Sequence, residues 1–134
     1  MALRYLLDSD ICIYLMKRRP SALTRRIDAH AHQSALSVIA YGELCFGQAG
    51  STRTEEAAAH LAALIETVQV LPLPLDAAMQ YGDIRVHLER AGKPIGGNDL
   101  WIAAHALAAN LTLVTNNERE FARVPGLRVE NWAR

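Results

Sequence analysis

The chain has 134 residues, 51% apolar and 21% charged, which is enough for one domain, residues 1–134, with a buried core. Lys plus Arg and Asp plus Glu stand at 14 each, so bulk charge does not draw nucleic acid, and any anionic partner must be held by a local patch or a metal. No apolar stretch reaches the length of a membrane span, and the start "MALRYLLDSD" lacks the apolar region of a secretion signal; the cytoplasm is the expected compartment.

The first element is "LRYLLD", nearly continuous apolar, as expected of a strand covered on both faces. A helix is expected from Ile11 to Lys17, broken by "RRPS" and resumed in "ALTRRIDAHA". "SALSVI" reads as a second strand, leading into a helical "AYGELCFGQAG". Glu55 to Val68 is an Ala-rich helix with "STRT" as its cap region. "VLPL" is a short third strand, with Pro72 and Pro74 marking its limits. Asp76 is expected to cap a helix running to Arg90, closed by "AGKPIGG". "NDLWIAAHALAAN" is a helix opening at Asn98, "LTLVT" a fourth strand and "RVENW" a candidate fifth. No repeat, low-complexity tract or linker interrupts this alternation, which predicts an α/β fold with a parallel, mostly doubly covered sheet.

In such sheets ligands bind beyond the carboxyl ends of the strands, where the strand order reverses. Asp8 ends the first strand, and one of Asp8, Ser9 and Asp10 suffices to cap the next helix. Asp10 is well placed for that, which leaves Asp8 unexplained. Glu43 follows the second strand with Ile39, Ala40, Phe46 and Gly47 on its helical face, a face expected to pack on the sheet; Ser37 and Tyr41 are candidate hydrogen-bond partners for it. Asp99 falls in the first turn of a helix, where the macrodipole favours a negative charge, with Asn98 already available as a cap. Thr115, Asn116 and Asn117 end the fourth strand and read equally well as a turn and cap before "EREF".

Each of these residues has a local structural explanation, but their common position at one edge has none. Three converging carboxylates without a cation repel, and Lys93 sits on a Gly/Pro loop while Lys17, Arg18 and Arg19 lie a helix away. Oxygen ligands without paired His or Cys point to Mg²⁺, with Mn²⁺ as a substitute, over zinc. His105 reads as a core residue before it reads as a ligand, and Cys12 and Cys45, without metal-ligand spacing, read as buried free thiols. "KRRP" (Lys17, Arg18, Arg19) and "TRR" (Arg25, Arg26) are candidate phosphate contacts, although the helix dipole explains cations at a helix end equally well.

At these residues the chain resembles the PIN-domain ribonucleases, specifically the VapC toxins of VapBC toxin–antitoxin pairs. "LLDSDICIYL" is similar to that family's opening strand, "AYGELCFG" to its Glu-bearing segment, "PIGGNDLWIAAHA" to the segment with its third acid, and "LTLVTNNEREF" with "VPGLRVENW" to the closing one. The resemblance implies a PIN-like fold with a parallel sheet of four or five strands, and one or two Mg²⁺ ions held by Asp8, Glu43 and Asp99 as catalytic residues. It implies support from Ser9 and Thr115, endonuclease action on RNA such as the initiator tRNA anticodon loop, an antitoxin partner and a homodimer. Two departures stand out: Asp10 replaces a commoner Asn, and Asn117 stands where many PIN domains carry a fourth acid, for which Glu120 could substitute in part. Two other readings remain open. A phospho-accepting receiver domain would share the strand-end acids Asp8 and Asp76 and Thr115, but its last strand would be followed by a Lys that "LRVENWAR" does not offer. A catalytically weak PIN-like binding module for RNA or protein rests on Asn117 alone.

Overall fold

The apolar runs become short, buried strands, and everything else positions their carboxyl ends. The computed structural model describes residues 2–16 and 21–133. Its strands are β1 (Tyr5–Leu7), β2 (Ser34–Ser37), β3 (Gln69–Leu71), β4 (Thr112–Val114) and β5 (Val129–Glu130). Between them lie α1 (Ser9–Met16) and α2 (Ala22–His30), then α3 (Val38–Ala49) and α4 (Thr54–Thr67), then α5 (Ala77–Arg90) and α6 (Gly97–Ala108), and finally α7 (Glu118–Phe121). A 3₁₀ turn, Ala31–Gln33, links α2 to β2.

All five strands are parallel, in the order β3-β2-β1-β4-β5. The chain steps outward from β1 to β2 and β3, then returns across the sheet to lay β4 on the other side of β1. The order therefore reverses between β1 and β4. Receiver domains belong to the flavodoxin-like group with order 2-1-3-4-5; here β3 is an edge strand and β1 lies between β2 and β4, so that reading is excluded. Asp76, beyond the edge strand, is exposed and does not stand beside Asp8.

The boundaries that moved did so because side chains captured backbone donors. "SALSVI" is strand only to Ser37, whose Oγ accepts the Ile39 N–H at 3.1 Å and starts α3 two residues earlier than the apolar run implies. Ser21 caps α2 by accepting from the Thr24 N–H at 3.2 Å. Asp76 occupies the cap position of α5 without a capping hydrogen bond; a turn at Pro74 and Leu75 leads into the helix instead. Asn98 is not the cap of α6, since Gly96 holds that position and its carbonyl accepts from Leu100 N–H at 2.9 Å. In "STRT" the cap position falls on Arg53, with Ser51 and Thr54 bracing the turn around it.

The core lies on both faces of the sheet: Leu6, Leu7, Leu36, Leu113 and Val114 are inaccessible, and α6 contributes Ile102 to Ala106. The closing "RVENW" adds an anchor beyond β5. Trp132 is wholly buried, edge-on to Tyr5 at 4.8 Å between ring centroids and 5.3 Å from His30. Among the described residues no helix is long and apolar enough to cross a membrane.

Candidate active site

The register of the sheet brings the site together. Leu7 is paired with Val114, so the next residue on each strand, Asp8 and Thr115, meet at the point where strand order reverses. The Asp8 N–H still donates to the Val114 carbonyl at 2.9 Å, and the Thr115 hydroxyl donates to Asp8 Oδ2 at 2.8 Å. Asp8 Oδ1 accepts the Ser9 N–H at 2.8 Å, and its carbonyl accepts from Cys12 N–H, so Asp8 is itself the residue at the start of α1.

This overturns the expectation that Asp10 is the cap. Asp10 reaches across to the end of β4, where its Oδ2 accepts the Asn116 N–H at 3.1 Å and lies 3.4 Å from the Thr115 hydroxyl. Local spacing could not show this, because the donors are 105 and 106 residues away in the chain.

Glu43 and Asp99 arrive from the helices that follow β2 and precede β4. Glu43 is half-buried, but not because its whole helical face packs inward: Phe46 on that face is 81% exposed and Gly47 is also exposed. The start of that α3 face packs inward as expected, with Ala40 inaccessible and Ile39 against the core, while its end at Phe46 and Gly47 lies along the rim of the site. Neither expected partner serves Glu43, since Ser37 caps α3 and Tyr41 is paired with Cys45. Glu43 Oε1 is buried with no hydrogen-bond donor. Ser9, Glu43 and Asn98 line one open groove of about 680 Å³ with Ile13 and Phe46 at its side.

Asp99, half-buried in the first turn of α6, shares a hydrogen bond with Glu120. Glu120 is the organiser of this corner. Its carboxylate accepts the Gly96 N–H at 3.2 Å and the Asn117 side-chain amide, tying α7 to the loop that launches α6. Asn117, exposed, therefore reaches the carboxylates through Glu120, while its own N–H donates to Thr115 Oγ1 at 2.9 Å. The sequence signal for Glu120 was its place three residues after Asn117, one helical turn on.

The electrostatics show that these groups sense one another. Burial first, then Asp10 and more weakly Glu43, push Asp8 up to about 6 from an ordinary 3.8, against the hydrogen bonds from Thr115 and Ser9. Burial first, then Glu120, Asp8 and Glu43, push Asp99 up to about 7. Asp10 is raised by burial, against the hydrogen bonds it accepts from the Asn116 and Ile11 N–H groups and the Thr115 hydroxyl. Beneath them Cys12 is buried, and burial with Asp8 and Asp10 pushes its thiol up, so it stays protonated and inert. Cys12 and Cys45 are both free, but Cys45 is only half-buried, contrary to expectation. His105 is 1% exposed in the core, its Nδ1 unpartnered and its pKa lowered by burial.

Among the described residues no three His, Cys, Asp or Glu side chains are drawn close enough together to hold a metal ion as they stand. The donor set nonetheless fits a hard dication. Mg²⁺ keeps several waters and takes only one or two carboxylates directly. Here carboxylates that raise one another's pKa stand beside a buried oxygen, Glu43 Oε1, that no protein donor satisfies. A buried acceptor without a donor is costly unless a cation or water meets it.

The basic candidates are less uniform. Arg26 lies 3.8 Å from Glu130 and over the Trp132 ring at 5.2 Å, so it is engaged at the far side of α2, while Arg25 is exposed. Lys17, Arg18 and Arg19 lie outside the described residues.

The PIN-domain family model matches residues 5–127 of this chain. The chain belongs to the PIN-domain family. It is 37% identical over 130 residues to the ribonuclease VapC2 of Rickettsia felis, covering 96% of this chain and 97% of that one. It is equally similar, 37% over 130 residues, to the tRNA(fMet)-specific endonuclease VapC of Salmonella typhimurium, covering 97% and 98%. The DNA-bound VapBC structure from S. typhimurium superposes with a TM-score of 0.92 at 37% identity over 97% of this chain and 98% of that one. That of R. felis VapBC2 on a promoter fragment superposes with a TM-score of 0.90 at 36% identity over 98% and 99%. Within the PIN-domain family the chain is thus of the VapC kind, and the resemblance carried by its four motifs holds over nearly its full length.

Proposed function

We propose that this PIN domain is a Mg²⁺-dependent endoribonuclease, the toxin of a VapBC-type pair, and that it acts on tRNA in the cytoplasm. The observation that carries the reading is the meeting of Asp8, Glu43 and Asp99 at the β1–β4 reversal, with Asp8 and Asp99 raised by burial and by their neighbours. The S. typhimurium relative's name, a tRNA(fMet)-specific endonuclease, supports tRNA(fMet) as the substrate, and the anticodon loop is the cleavage site that the family resemblance implies. The VapBC structures support a VapB-like antitoxin as partner, and a homodimer is the assembly we assign by family likeness.

Asp8, Glu43 and Asp99 would hold the ion. When bound, it supplies Lewis-acid chemistry, offsetting phosphate charge and lowering the pKa of an attacking water. The chain's own part is placement. Thr115 and the Ser9 N–H fix both oxygens of Asp8, so its carboxylate cannot rotate. Glu120 holds the Gly96 loop and thereby the first turn of α6 on which Asp99 rides. Glu43 projects an unsatisfied oxygen beside the open groove, the route by which an extended strand of RNA would reach the carboxylates.

The test is cleavage of a total tRNA pool by the purified chain with Mg²⁺, with EDTA, and by Asp8→Ala and Asp99→Ala proteins. Cleavage at a discrete site that needs the cation and both acids is expected, and growth arrest on expression should disappear with Asp8→Ala and with co-expressed antitoxin. Full cleavage in EDTA, or by both variants, would remove the metal-nuclease reading.

A further inference from the structure

A chain of zero net charge with an acidic site needs cations close to that site if it is to hold RNA. Most of its described arginines are engaged elsewhere. Arg26 is held by Glu130 and the Trp132 ring, Arg53 by Glu56, Arg85 by Glu89 and Arg128 by Asn110. A different group stands beside the carboxylates. Lys93, Arg119 and Arg123 are exposed, and among the described residues none of the three is paired with a carboxylate. The acids around them are already met: Glu89 by Arg85, Glu118 by Asn131, and Glu120 by Gly96 and Asn117.

Two segments far apart in the chain bring these cations to one corner. Arg123, in the turn after α7, donates from its guanidinium to the Pro94 carbonyl at 3.2 Å. Glu120, whose carbonyl accepts the Arg123 N–H, holds the Gly96 N–H of the same loop and shares a hydrogen bond with Asp99. Lys93 precedes Pro94, and the turn that ends α5 fixes its place. Gly92 has φ 68°, its N–H meets the Glu89 carbonyl at 3.1 Å, and the Lys93 N–H meets the Leu88 carbonyl at 2.9 Å. Arg119 stands on α7 immediately before Glu120. Pro94 and Gly96 are at most about 7 Å apart along the chain, and phosphates recur about every 3.4 Å along a stacked strand. A strand with one phosphate at Asp99 and running toward α7 therefore has its next few phosphates within reach of the three cations.

We propose that Lys93, Arg119 and Arg123 form the phosphate-holding edge of this site, gripping the RNA backbone beside the scissile phosphate on the α7 side. The inference rests on the nuclease reading and adds to it the path of the substrate. Contiguity with Asp99, through Glu120 and the Gly96 loop, favours RNA over an acidic protein segment as the occupant. Contacts to phosphate position the strand without choosing its sequence. Because they lie away from the reacting atoms, they strengthen substrate and transition-state binding alike.

The test uses the full-length wild type, Lys93→Ala, Arg123→Ala, Arg123→Lys and the triple alanine variant of Lys93, Arg119 and Arg123. Arg4→Ala is the control, because Arg4 precedes β1 and its loss removes the same charge from the opposite edge of the sheet. Binding of fluorescently labelled bulk tRNA is followed by anisotropy in EDTA as NaCl is raised, and cleavage of the same tRNA is timed in Mg²⁺. Each single alanine variant should bind about two- to fivefold more weakly at low salt, the worth of an exposed ion pair. Each should also flatten the plot of log affinity against log salt by about 0.7–0.9, and the triple variant by about 2–3. Arg123→Lys, which keeps the charge, and Arg4→Ala should stay near wild type. In Mg²⁺ the triple variant should show a raised KM with kcat kept. Unchanged tRNA affinity and salt slope in the triple variant overturns the inference alone, and a concurrent loss of antitoxin binding would make this corner a protein interface. An equal loss in Arg4→Ala, an Arg123→Lys protein as weak as Arg123→Ala, or a fall in kcat with KM unchanged overturns it too. If the wild type cleaves no RNA in Mg²⁺, the nuclease reading falls and this inference with it.

Discussion

Replacing Asp8 by Asn should make the cation-free protein more stable at neutral pH, and by an amount that depends on pH. Asp8 is 5% exposed, and its carboxyl is pushed from 3.8 up to about 6 by burial, then by Asp10. Because the folded state holds this proton more tightly than the unfolded chain, it binds more protons between pH 4 and 6, and stability falls as pH rises through that window. At about 1.36 kcal/mol per pH unit, the rise from 3.8 to about 6 amounts to about 3 kcal/mol of native-state destabilisation above pH 6. Asp99, pushed up to about 7, acts in the same direction and extends the window upward, but it is half-exposed and screened, so it adds less. The assay is urea unfolding in EDTA of wild type and Asp8→Asn at pH 4 and at pH 7.5. Asn keeps one acceptor, for the Ser9 N–H, and its amide can donate to the Thr115 hydroxyl oxygen, which turns its own proton toward Asp10, as a protonated Asp8 would also allow, so the two proteins should be close at pH 4. At pH 7.5 the variant should be more stable by up to about 3 kcal/mol, and saturating Mg²⁺ should narrow that gap by stabilising only the wild type. A stability difference that is flat with pH, or that favours wild type in EDTA at pH 7.5, would show that burial and Asp10 do not oppose the ionisation of Asp8.

Glu43→Gln should cut RNA cleavage severely and cost little stability, because Oε1 has no protein partner to lose; cleavage assays with denaturant melts decide it, and normal cleavage would make Glu43 a rim charge only. Glu120→Ala should lower cleavage about 10- to 100-fold with the fold retained, since it frees the Gly96 N–H and the Asn117 amide and loosens the turn carrying Asp99; this is read from rates at saturating Mg²⁺. Asn117→Ala should act in the same direction but more weakly, because Glu120 keeps its bond from Gly96. Trp132→Ala should destabilise by about 3–5 kcal/mol in equilibrium unfolding, through loss of a fully buried ring against Tyr5 and His30.

Element identity and order were legible in the residues because the underlying forces are local. Runs such as "YLL" and "TLV" cannot be solvated on either face, and the helical period separates them, so an alternating parallel sheet follows without a structure. The same logic placed Asp8 and Thr115 at strand ends and Asp99 in a first turn, and the structure put each of them there. What local pattern could not decide was which of several equivalent groups takes each role. Any residue of "DSD" can cap a helix, and only the pairing of β1 with β4 brings the Asn116 N–H within 3.1 Å of Asp10 and leaves the cap position to Asp8. Helical spacing set Phe46 beside Glu43, but whether that face meets the sheet depends on the angle at which α3 leaves β2, and Phe46 ends in solvent. Glu120 shows the same division: its charge is plain in "EREF", yet its hold on Gly96 and Asp99 spans more than twenty residues of chain and exists only once α6, β4 and α7 have packed. Short-range preferences act within a turn or a strand, whereas the charges of this site are set by donors and neighbours that tertiary packing alone brings within hydrogen-bond reach.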